Sequence, residues 1–348
     1  PPVSLLRRQS GGSQHPAALR RSRYRWLGRR FKPDVALLWN RLDQHTRVID
    51  ALGVRRCLYW EHGSAWLAGD DRARAEVLAR LPAVLCNSRA AKRMLELRWG
   101  YEGVVRVCPN GMRNRHTVKD FKQLPRDRAL HIGVASRLVP VKATCLALHA
   151  LAALHRRGIK ARMSIAGDGP LRSGLEQLAR SLNIAGHVRF LGVVKDMALF
   201  FSEIDLLLHP ALREPFGVVA AEAGAMGCPV VCTAVDGLPE VVAHEQTGLC
   251  IAPTADMVRY RELGGTSDGL PAAVYIPGRD AIETPKVCEP EDLADAVATI
   301  SADAERFSAM SDAAMVRVAE CFDFDRHVDD VMAAVNEYHA TGTLEPRV

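Results

Sequence analysis

Short runs rich in β-branched and aromatic residues recur along most of this chain of 348 residues, and segments with helical periodicity separate most of them. The helical patterns include Ala143–Arg156, Leu171–Leu182 and Leu293–Ile300. Strands that alternate with helices are typical of parallel, doubly wound α/β sheets. Ten runs predict strands: Val35–Trp39, Cys57–Trp60, Val84–Cys86, Val104–Val107, Ile132–Ala135, Met163–Ala166, Val188–Leu191, Leu206–His209, Val230–Cys232 and Leu249–Ile251.

The length and one polar stretch predict two domains. Residues 111–129 are polar and lack apolar periodicity, so we place the first domain at 1–125 and the second at 128–322. The remainder, 323–348, contains the helical pattern Phe324–His339. Residues 254–289 are rich in glycine and proline, and we interpret them as a loop insertion.

Composition indicates a soluble globular protein, with 48% hydrophobic and 25% charged residues. No apolar run approaches the roughly 18 residues of a membrane span, and no signal-like segment begins the chain. The nine cysteines form no C-x-x-C pair, and several lie in apolar strands. They predict reduced thiols in a cytoplasmic protein and no metal site.

The net charge of +6 is concentrated near the start of the chain. Residues 1–32 contain nine basic residues and no acid, so the rest sums to about −3. This segment predicts either binding to an anionic membrane surface through residues 7–32 or a solvated helix face. No nucleic acid partner is expected, because no binding motif accompanies the arginines. The basic residues are Arg7, Arg8, Arg20, Arg21, Arg23, Arg25, Arg29, Arg30 and Lys32.

The most informative segment for function contains Glu214 and Glu222, eight residues apart. Pro215 and Gly217 place Glu214 at a strand-to-helix turn, and 218–226 has a helical pattern, so Glu222 lies roughly 12 Å further along the axis. The free N–H groups of the helix start favour an anion such as phosphate. An elongated ligand with hydroxyl groups at both ends, such as a nucleotide-sugar, fits this arrangement. The alternative is a pair of ordinary surface glutamates.

This segment resembles the E-x7-E motif of retaining glycosyltransferases of family 4, a bacterial-type family of group 1 glycosyl transferases with the GT-B fold. The residues around it agree in order: 205–210, then Glu214-Pro-Phe-Gly, then 222–229, then Asp236-Gly-Leu-Pro-Glu240. The resemblance covers most of residues 34–322. It implies two Rossmann-like domains that face a cleft.

The resemblance also implies site residues. Arg137 and Lys142 resemble the family's cations that clamp the donor diphosphate, although Val141 and Ala143 depart from its pattern. Glu214 would hold sugar hydroxyls and Glu222 the ribose. The donor-binding residues implied are Arg137, Lys142, Gly167, Gly169, Lys195, Glu214, Phe216, Gly217, Val218 and Glu222.

In the first domain, His62 resembles a family histidine beside the donor sugar. A histidine after a strand is often structural, and Glu61 competes with His62 for this role. With Glu214, Arg137 and Lys142, His62 completes the catalytic set that we expect. This domain is shorter than in the family, so we expect an incomplete acceptor-side domain.

The expected function is metal-independent transfer of a hexose, with retention at the anomeric carbon. The donor would be a nucleotide-diphosphate sugar, and the acceptor a hydroxyl of a glycan or lipid-linked molecule. No cofactor is expected, since the nucleotide-sugar is a substrate. The protein would be cytoplasmic, either free or peripheral on the inner face of the membrane. Two alternatives stay open: a noncatalytic membrane-surface or partner-binding subunit, and a nucleotide-sugar 2-epimerase.

Overall fold

The computed structural model describes residues 9–10, 13–14, 17–113 and 121–345. The predictions for Arg7 and Arg8, and part of the predicted domain boundary, lie outside these ranges. The strands of the first half are β1 (Gln9–Ser10), β2 (Ser13–Gln14), β3 (Ala36–Trp39), β4 (Cys57–Glu61), β5 (Ala83–Cys86) and β6 (Val104–Val107). The helices between them are α1 (Ala17–Phe31), α2 (Thr46–Leu52), α3 (Asp71–Leu78) and α4 (Arg89–Trp99).

Strands β3 to β6 form a parallel sheet in sequence order. Its central strands β4 and β5 are buried along their whole length. Strands that are covered on both faces need apolar residues at every position, which is why both read as continuous hydrophobic runs. β1 and β2 form a separate antiparallel pair.

The second half contains a six-stranded parallel sheet in the order β12-β11-β10-β7-β8-β9. The chain winds outward from β7 in both directions, so the strand order reverses between β7 and β10. In open α/β sheets a crevice forms at that reversal, outside the carboxyl ends of the strands. The strands are β7 (Leu130–Ala135), β8 (Ala161–Ala166), β9 (Val188–Gly192), β10 (Leu206–His209), β11 (Val230–Thr233) and β12 (Gly248–Ile251).

Helices cover both faces of this sheet and continue to the end of the described chain. They are α5 (Thr144–Arg156), α6 (Arg172–Ser181), α7 (Met197–Glu203), α8 (Val218–Ala225), α9 (Leu238–Val241), α10 (Met257–Glu262), α11 (Pro290–Ser301), α12 (Ala304–Cys321) and α13 (Phe324–Thr341). The predicted α/β class with two Rossmann-like domains is confirmed, and all ten predicted strands are present.

The predicted loop insertion at 254–289 was wrong. It contains helix α10 and an antiparallel hairpin of β13 (Val274–Ile276) and β14 (Ala281–Glu283). The hairpin packs on the first domain, where the Arg93 guanidinium on α4 binds both oxygens of Asp280 at 2.7 and 2.8 Å. This pairing depends on a residue about 190 positions away, so local composition gave no sign of it.

The chain leaves the first domain after Met112 and returns to it after Phe322, and these two places are neighbours. Met112 N donates to the carbonyl oxygen of Phe322 at 2.7 Å, next to the start of α13. Helix α13 then packs against the first sheet. There the Tyr338 hydroxyl donates to the carbonyl oxygen of Cys57 at 3.0 Å, and Arg106 pairs with Glu337 at 2.7 Å.

Polar side chains also join the two domains directly. The Trp66 indole Nε1 donates to Asp236 Oδ1 at 2.8 Å. The Ser88 hydroxyl donates to the carbonyl oxygen of Pro215 at 2.6 Å and accepts from the N–H of Ala91, which caps α4. The turn that carries Glu214 is therefore fastened to the first domain on both sides.

A second cap of α4 comes from the other domain. The Glu240 carboxylate accepts from the backbone N–H groups of Arg89 and Ala90, both at 2.8 Å. These N–H groups have no partner within their own helix, because they belong to its first turn. A carboxylate there also interacts favourably with the helix dipole.

All nine cysteines are free thiols, and only Cys321, the last residue of α12, is exposed. Burial raises the pKa of the Cys57 and Cys145 thiols to about 12. Among the helices that the structure describes, none is long and apolar enough to cross a bilayer.

Candidate functional site

A cavity of about 380 Å³ lies between the two domains, at the strand-order reversal of the second sheet. The loops that follow β7 and β10 form one wall, and loops of the first domain form the other. Its lining residues are His62, Asn87, Asn110, Ala135, Ser136, Arg137, Val141, Lys142, Arg213, Glu214, Pro215, Phe216, Val218 and Val219.

Glu214 is the most strongly held side chain of the cavity. Its Oε2 accepts from Lys142 Nζ at 2.5 Å and lies 3.1 Å from Nε2 of the buried His209. Burial alone would raise the pKa of the Glu214 carboxyl, but Lys142 and His209 hold this pKa well below its ordinary value. Glu214 is therefore ionised and fixed in direction.

The loop after β7 places the two predicted cations. Arg137 is exposed and makes no ion pair within the described ranges, while Lys142 ends a short 3₁₀ turn, Pro140–Lys142. Ala143 follows with a positive φ of 48°, at the position where the family pattern has glycine. The departure is tolerated at some conformational cost, since a left-handed alanine is disfavoured.

The start of α8 faces the same space. Gly217 precedes the helix with φ 108°, a conformation that favours glycine, and no side chain within the described ranges caps the helix start. Val218 and Val219 of the first turn line the cavity, so its uncapped N–H groups offer hydrogen bonds to an anion. Phe216 anchors the turn from below, because its ring meets Phe322 edge-on with centroids 5.4 Å apart.

His62 lines the cavity from the first domain. Its ring stacks on Trp39 with centroids 3.9 Å apart, and its backbone N–H donates to Asn40 Oδ1 at 2.7 Å. Burial, with a smaller contribution from His327, lowers the pKa of His62 to about 4. The imidazole is therefore neutral near pH 7.

The competitor Glu61 turns away from the cavity. Its fully buried carboxylate accepts from the N–H groups of Gly63 and Ala65 at 2.6 and 3.0 Å, and from the hydroxyl of Ser64 at 2.5 Å. The Tyr59 hydroxyl also donates to it. Glu61 thus shapes the loop that presents His62.

Several cavity side chains lack polar partners. Seven buried side-chain nitrogen or oxygen atoms have no hydrogen bond in the described part of the chain, and three of them belong to cavity residues: His62 Nε2, Ser136 Oγ and Arg213 Nε. Buried polar atoms are normally satisfied, so each exception calls for an explanation. A polar ligand in the cavity would supply the missing partners.

Asp236 supports the cavity from behind. Its carboxylate accepts from the N–H groups of Glu214 and Tyr275 and from the Trp66 indole, at 2.8–3.0 Å. Burial raises the pKa of Asp236 to about 7, against these hydrogen bonds. Its φ of 47° is left-handed, a strained geometry that aims the carboxylate at three separate segments.

Some predicted site residues lie outside the cavity lining. Glu222 is half-buried about one turn along α8, makes no hydrogen bond in the described ranges, and burial raises the pKa of its carboxyl. Lys195 is exposed. The donor roles of these two residues stay predictions.

Gly167 and Gly169 also lie outside the lining, but they pack against the loop that carries Arg137. A Cβ at Gly167 would lie 1.8 Å from the carbonyl oxygen of Ser136, and one at Gly169 would lie 2.5 Å from that of Leu138. Both positions require glycine because two backbone segments meet there. Contact with a nucleotide remains a prediction.

Sequence reasoning did not select four polar cavity residues: Asn87, Asn110, Ser136 and Arg213. Asn87 and Asn110 stand in the dipeptides Asn87-Ser88 and Asn110-Gly111, which are typical of helix caps and tight turns. Arg213 directly precedes Glu214, and a single arginine carries no pattern of its own. Its proximity to the E-x7-E motif was the available signal.

Residues 116–261 match the family described as Glycosyl transferases group 1. A D-inositol 3-phosphate glycosyltransferase of Saccharomonospora viridis is 40% identical over 144 residues, which cover 38% of this chain and 33% of that protein. An N-acetyl-alpha-D-glucosaminyl L-malate synthase of Bacillus anthracis is 40% identical over 93 residues, 26% of this chain and 24% of that protein. The matches thus span about a quarter to a third of these relatives.

Solved structures resemble the chain over most of its length. Anabaena Alr3699/HepE in complex with UDP has a TM-score of 0.69 at 20% identity, covering 91% of this chain and 82% of that one. A glycosyltransferase from Rickettsia africae has a TM-score of 0.71 at 13% identity, covering 96% and 84%. At these identities the likeness concerns the fold, and it confirms the predicted GT-B architecture.

Proposed function

We propose that this chain transfers a hexose from a nucleotide-diphosphate sugar to a hydroxyl group, because its residues 116–261 match the family described as Glycosyl transferases group 1. The acceptor would be a glycan or a lipid-linked molecule, and transfer would retain the anomeric configuration without a metal. The observation that carries the proposal is the cavity at the strand-order reversal. There, fixed cations and an uncapped helix start face a neutral histidine across the domain gap.

The donor diphosphate would lie against Arg137, Lys142 and the first N–H groups of α8. Such groups favour an anion and need no rearrangement when its charge grows. Glu214 would accept hydrogen bonds from sugar hydroxyls, and His62 would orient the sugar from the first domain. The unpartnered His62 Nε2 offers a contact for a sugar hydroxyl.

In the reaction, the bond between the anomeric carbon and the phosphate oxygen breaks, and its electron pair stays on the diphosphate. The acceptor oxygen forms the new bond on the same face of the sugar. Glu214 is a weak base, since Lys142 and His209 hold its pKa low. The departing phosphate oxygen is the stronger base nearby, so we assign the acceptor proton to it.

A direct test measures release of nucleoside diphosphate from UDP-, GDP- and ADP-sugars, preceded by a thermal-shift screen that selects the base. The expected result is stabilisation by one donor class and slow release even without acceptor. Release that EDTA abolishes would contradict the metal-independent mechanism. If no donor binds, the noncatalytic alternative is favoured.

We also propose that the basic start of the chain binds an anionic membrane surface. On helix α1, Arg25, Arg29 and Arg30 are exposed, and Trp26 and Phe31 are 61% and 51% exposed beside them. Exposed cations with aromatic side chains suit the headgroup region of a bilayer. Co-sedimentation with anionic and neutral vesicles tests this: equal binding to both, or none, contradicts it.

A further inference from the structure

Arg213 is a cation of the cavity lining. It lies between β10 and Glu214, and its buried Nε has no hydrogen bond in the described part of the chain. No ion pair of Arg213 is found in the described ranges. Arg213 is half-buried, so water screens its charge less than at the surface, and a guanidinium in this position favours an anion that enters the cavity.

The acids near Arg213 are already engaged. Glu214 pairs with Lys142, and Asp236 accepts three hydrogen bonds from other groups. Burial lowers the pKa of Arg213 despite both carboxylates, and the positive charge of Arg137 contributes in the same direction. The group that would neutralise Arg213 must therefore enter from outside.

The charges of the cavity indicate which group fits. Lys142 and Glu214 neutralise each other at 2.5 Å, which leaves Arg137 and Arg213 as the uncompensated cations of the lining. A nucleotide-sugar carries one negative charge on each of its two phosphates. The two uncompensated guanidinium groups match these two charges, and both can bind phosphate oxygens in a bidentate manner.

We infer that Arg213 is a further donor-binding residue, which neutralises the donor diphosphate together with Arg137. This inference rests on the proposed function and deepens it. Lys142 then serves chiefly to fix Glu214 and contributes its remaining N–H groups to the phosphates. Arg137 and Arg213 repel each other, so a diphosphate bound by both would remove an unfavourable interaction between them.

The test compares Arg213→Met, Arg213→Lys and the exposed control Arg189→Gln. Calorimetry measures binding of the nucleoside diphosphate that the wild-type protein prefers among UDP, GDP and ADP, and of the matching nucleoside. We expect Arg213→Met to weaken diphosphate binding roughly 10- to 100-fold, with Arg213→Lys intermediate and the control unchanged. Nucleoside binding should not change, and the melting temperature of the free Arg213→Met protein should be equal to or higher than that of the wild type.

Three outcomes overturn the inference. Equal diphosphate binding by the wild type and Arg213→Met removes Arg213 from the diphosphate site. An equal loss for diphosphate and nucleoside, with a lower melting temperature, makes its role structural. A wild-type protein that binds none of the three diphosphates contradicts the proposed function, and the inference falls with it.

Discussion

The two walls of the cavity differ in the kind of polar group that they supply. The second-domain wall carries charged side chains, with Arg137, Lys142 and Arg213 around Glu214. The first-domain wall supplies His62, kept neutral by burial, and two asparagines. The charged side chains thus lie on the second-domain wall, where the strand order reverses. The first-domain wall is neutral and is suited to orienting hydroxyl groups.

Two buried glutamates show why burial alone does not identify the site. Glu61 and Glu214 each follow or end a parallel strand, and each is held by several donors. The donors to Glu61 come from its own loop and its own strand, so its charge is consumed locally. Those to Glu214 come from separate elements at the cavity, so the carboxylate remains at the surface that a ligand meets.

The largest expected effect comes from weakening the charged wall. Arg137→Gln should lower turnover roughly 10²- to 10³-fold, because a fixed cation that stabilises the leaving group is lost. Its melting temperature should not change, since Arg137 is exposed. Steady-state rates of the variant, of Arg137→Lys and of the control Arg189→Gln check this. Normal turnover of Arg137→Gln would mean that the diphosphate is held elsewhere.

The comparison can be sharpened at Glu222, which belongs to the same helix as the charged wall but lies outside the lining. If it binds the ribose, Glu222→Ala should weaken donor binding by about 1.5–3 kcal/mol. Stability should not fall, because burial already raises the pKa of this unpartnered carboxyl. Calorimetry with the exposed Glu102→Ala as control measures both variants. Unchanged affinity would remove Glu222 from the donor site.

A variant at Glu240 tests the contact between the two domains at the start of α4. Glu240→Ala leaves the N–H groups of Arg89 and Ala90 without their acceptor, at a cost of about 1–3 kcal/mol. Hydrogen exchange of these two amides should accelerate, and Glu240→Gln should show a smaller change. Protection equal to the wild type would show that the two domains do not depend on this cap.

The smallest effect concerns the neutral wall and appears only in acid. The pKa of His62 lies at about 4 in the folded state against an ordinary value of 6.5, so the unfolded chain binds the proton first. His62 therefore contributes stability above pH 6.5 that is lost as the pH falls toward 4. Unfolding midpoints of His62→Gln should fall less over this range than those of the wild type or of the exposed control His339→Gln. Parallel curves would contradict a buried, neutral imidazole.

Much of the fold could be predicted because parallel strands that are buried on both faces must be apolar throughout. That requirement makes β4, β5, β7 and β10 visible as runs, and the turn at Pro215 and Gly217 marks the start of α8. The segment around Glu214 therefore predicted both the strand–turn–helix arrangement and the position of the candidate site.

The remainder depended on contacts between distant residues. The hairpin of β13 and β14 is held by Arg93 from the other domain, and composition alone indicated a loop. Arg213 forms no ion pair in the described ranges because the nearby acids Glu214 and Asp236 already bind other groups. The spacing of residues in the sequence does not show such competition. For Glu222, the spacing from Glu214 stays a prediction from helical rise, and membership in the cavity lining depends on the surrounding elements.

The exposed thiol of Cys321 has a practical consequence. It ends α12, directly before the second passage of the chain between the domains, and the other eight cysteines are buried or half-buried. Accessible thiolates attack maleimide reagents, so Cys321 is the preferred attachment point in this sequence. A fluorophore on Cys321 and an acceptor dye on the nucleotide would report nucleotide binding by energy transfer. The other cysteines would not need to be replaced first.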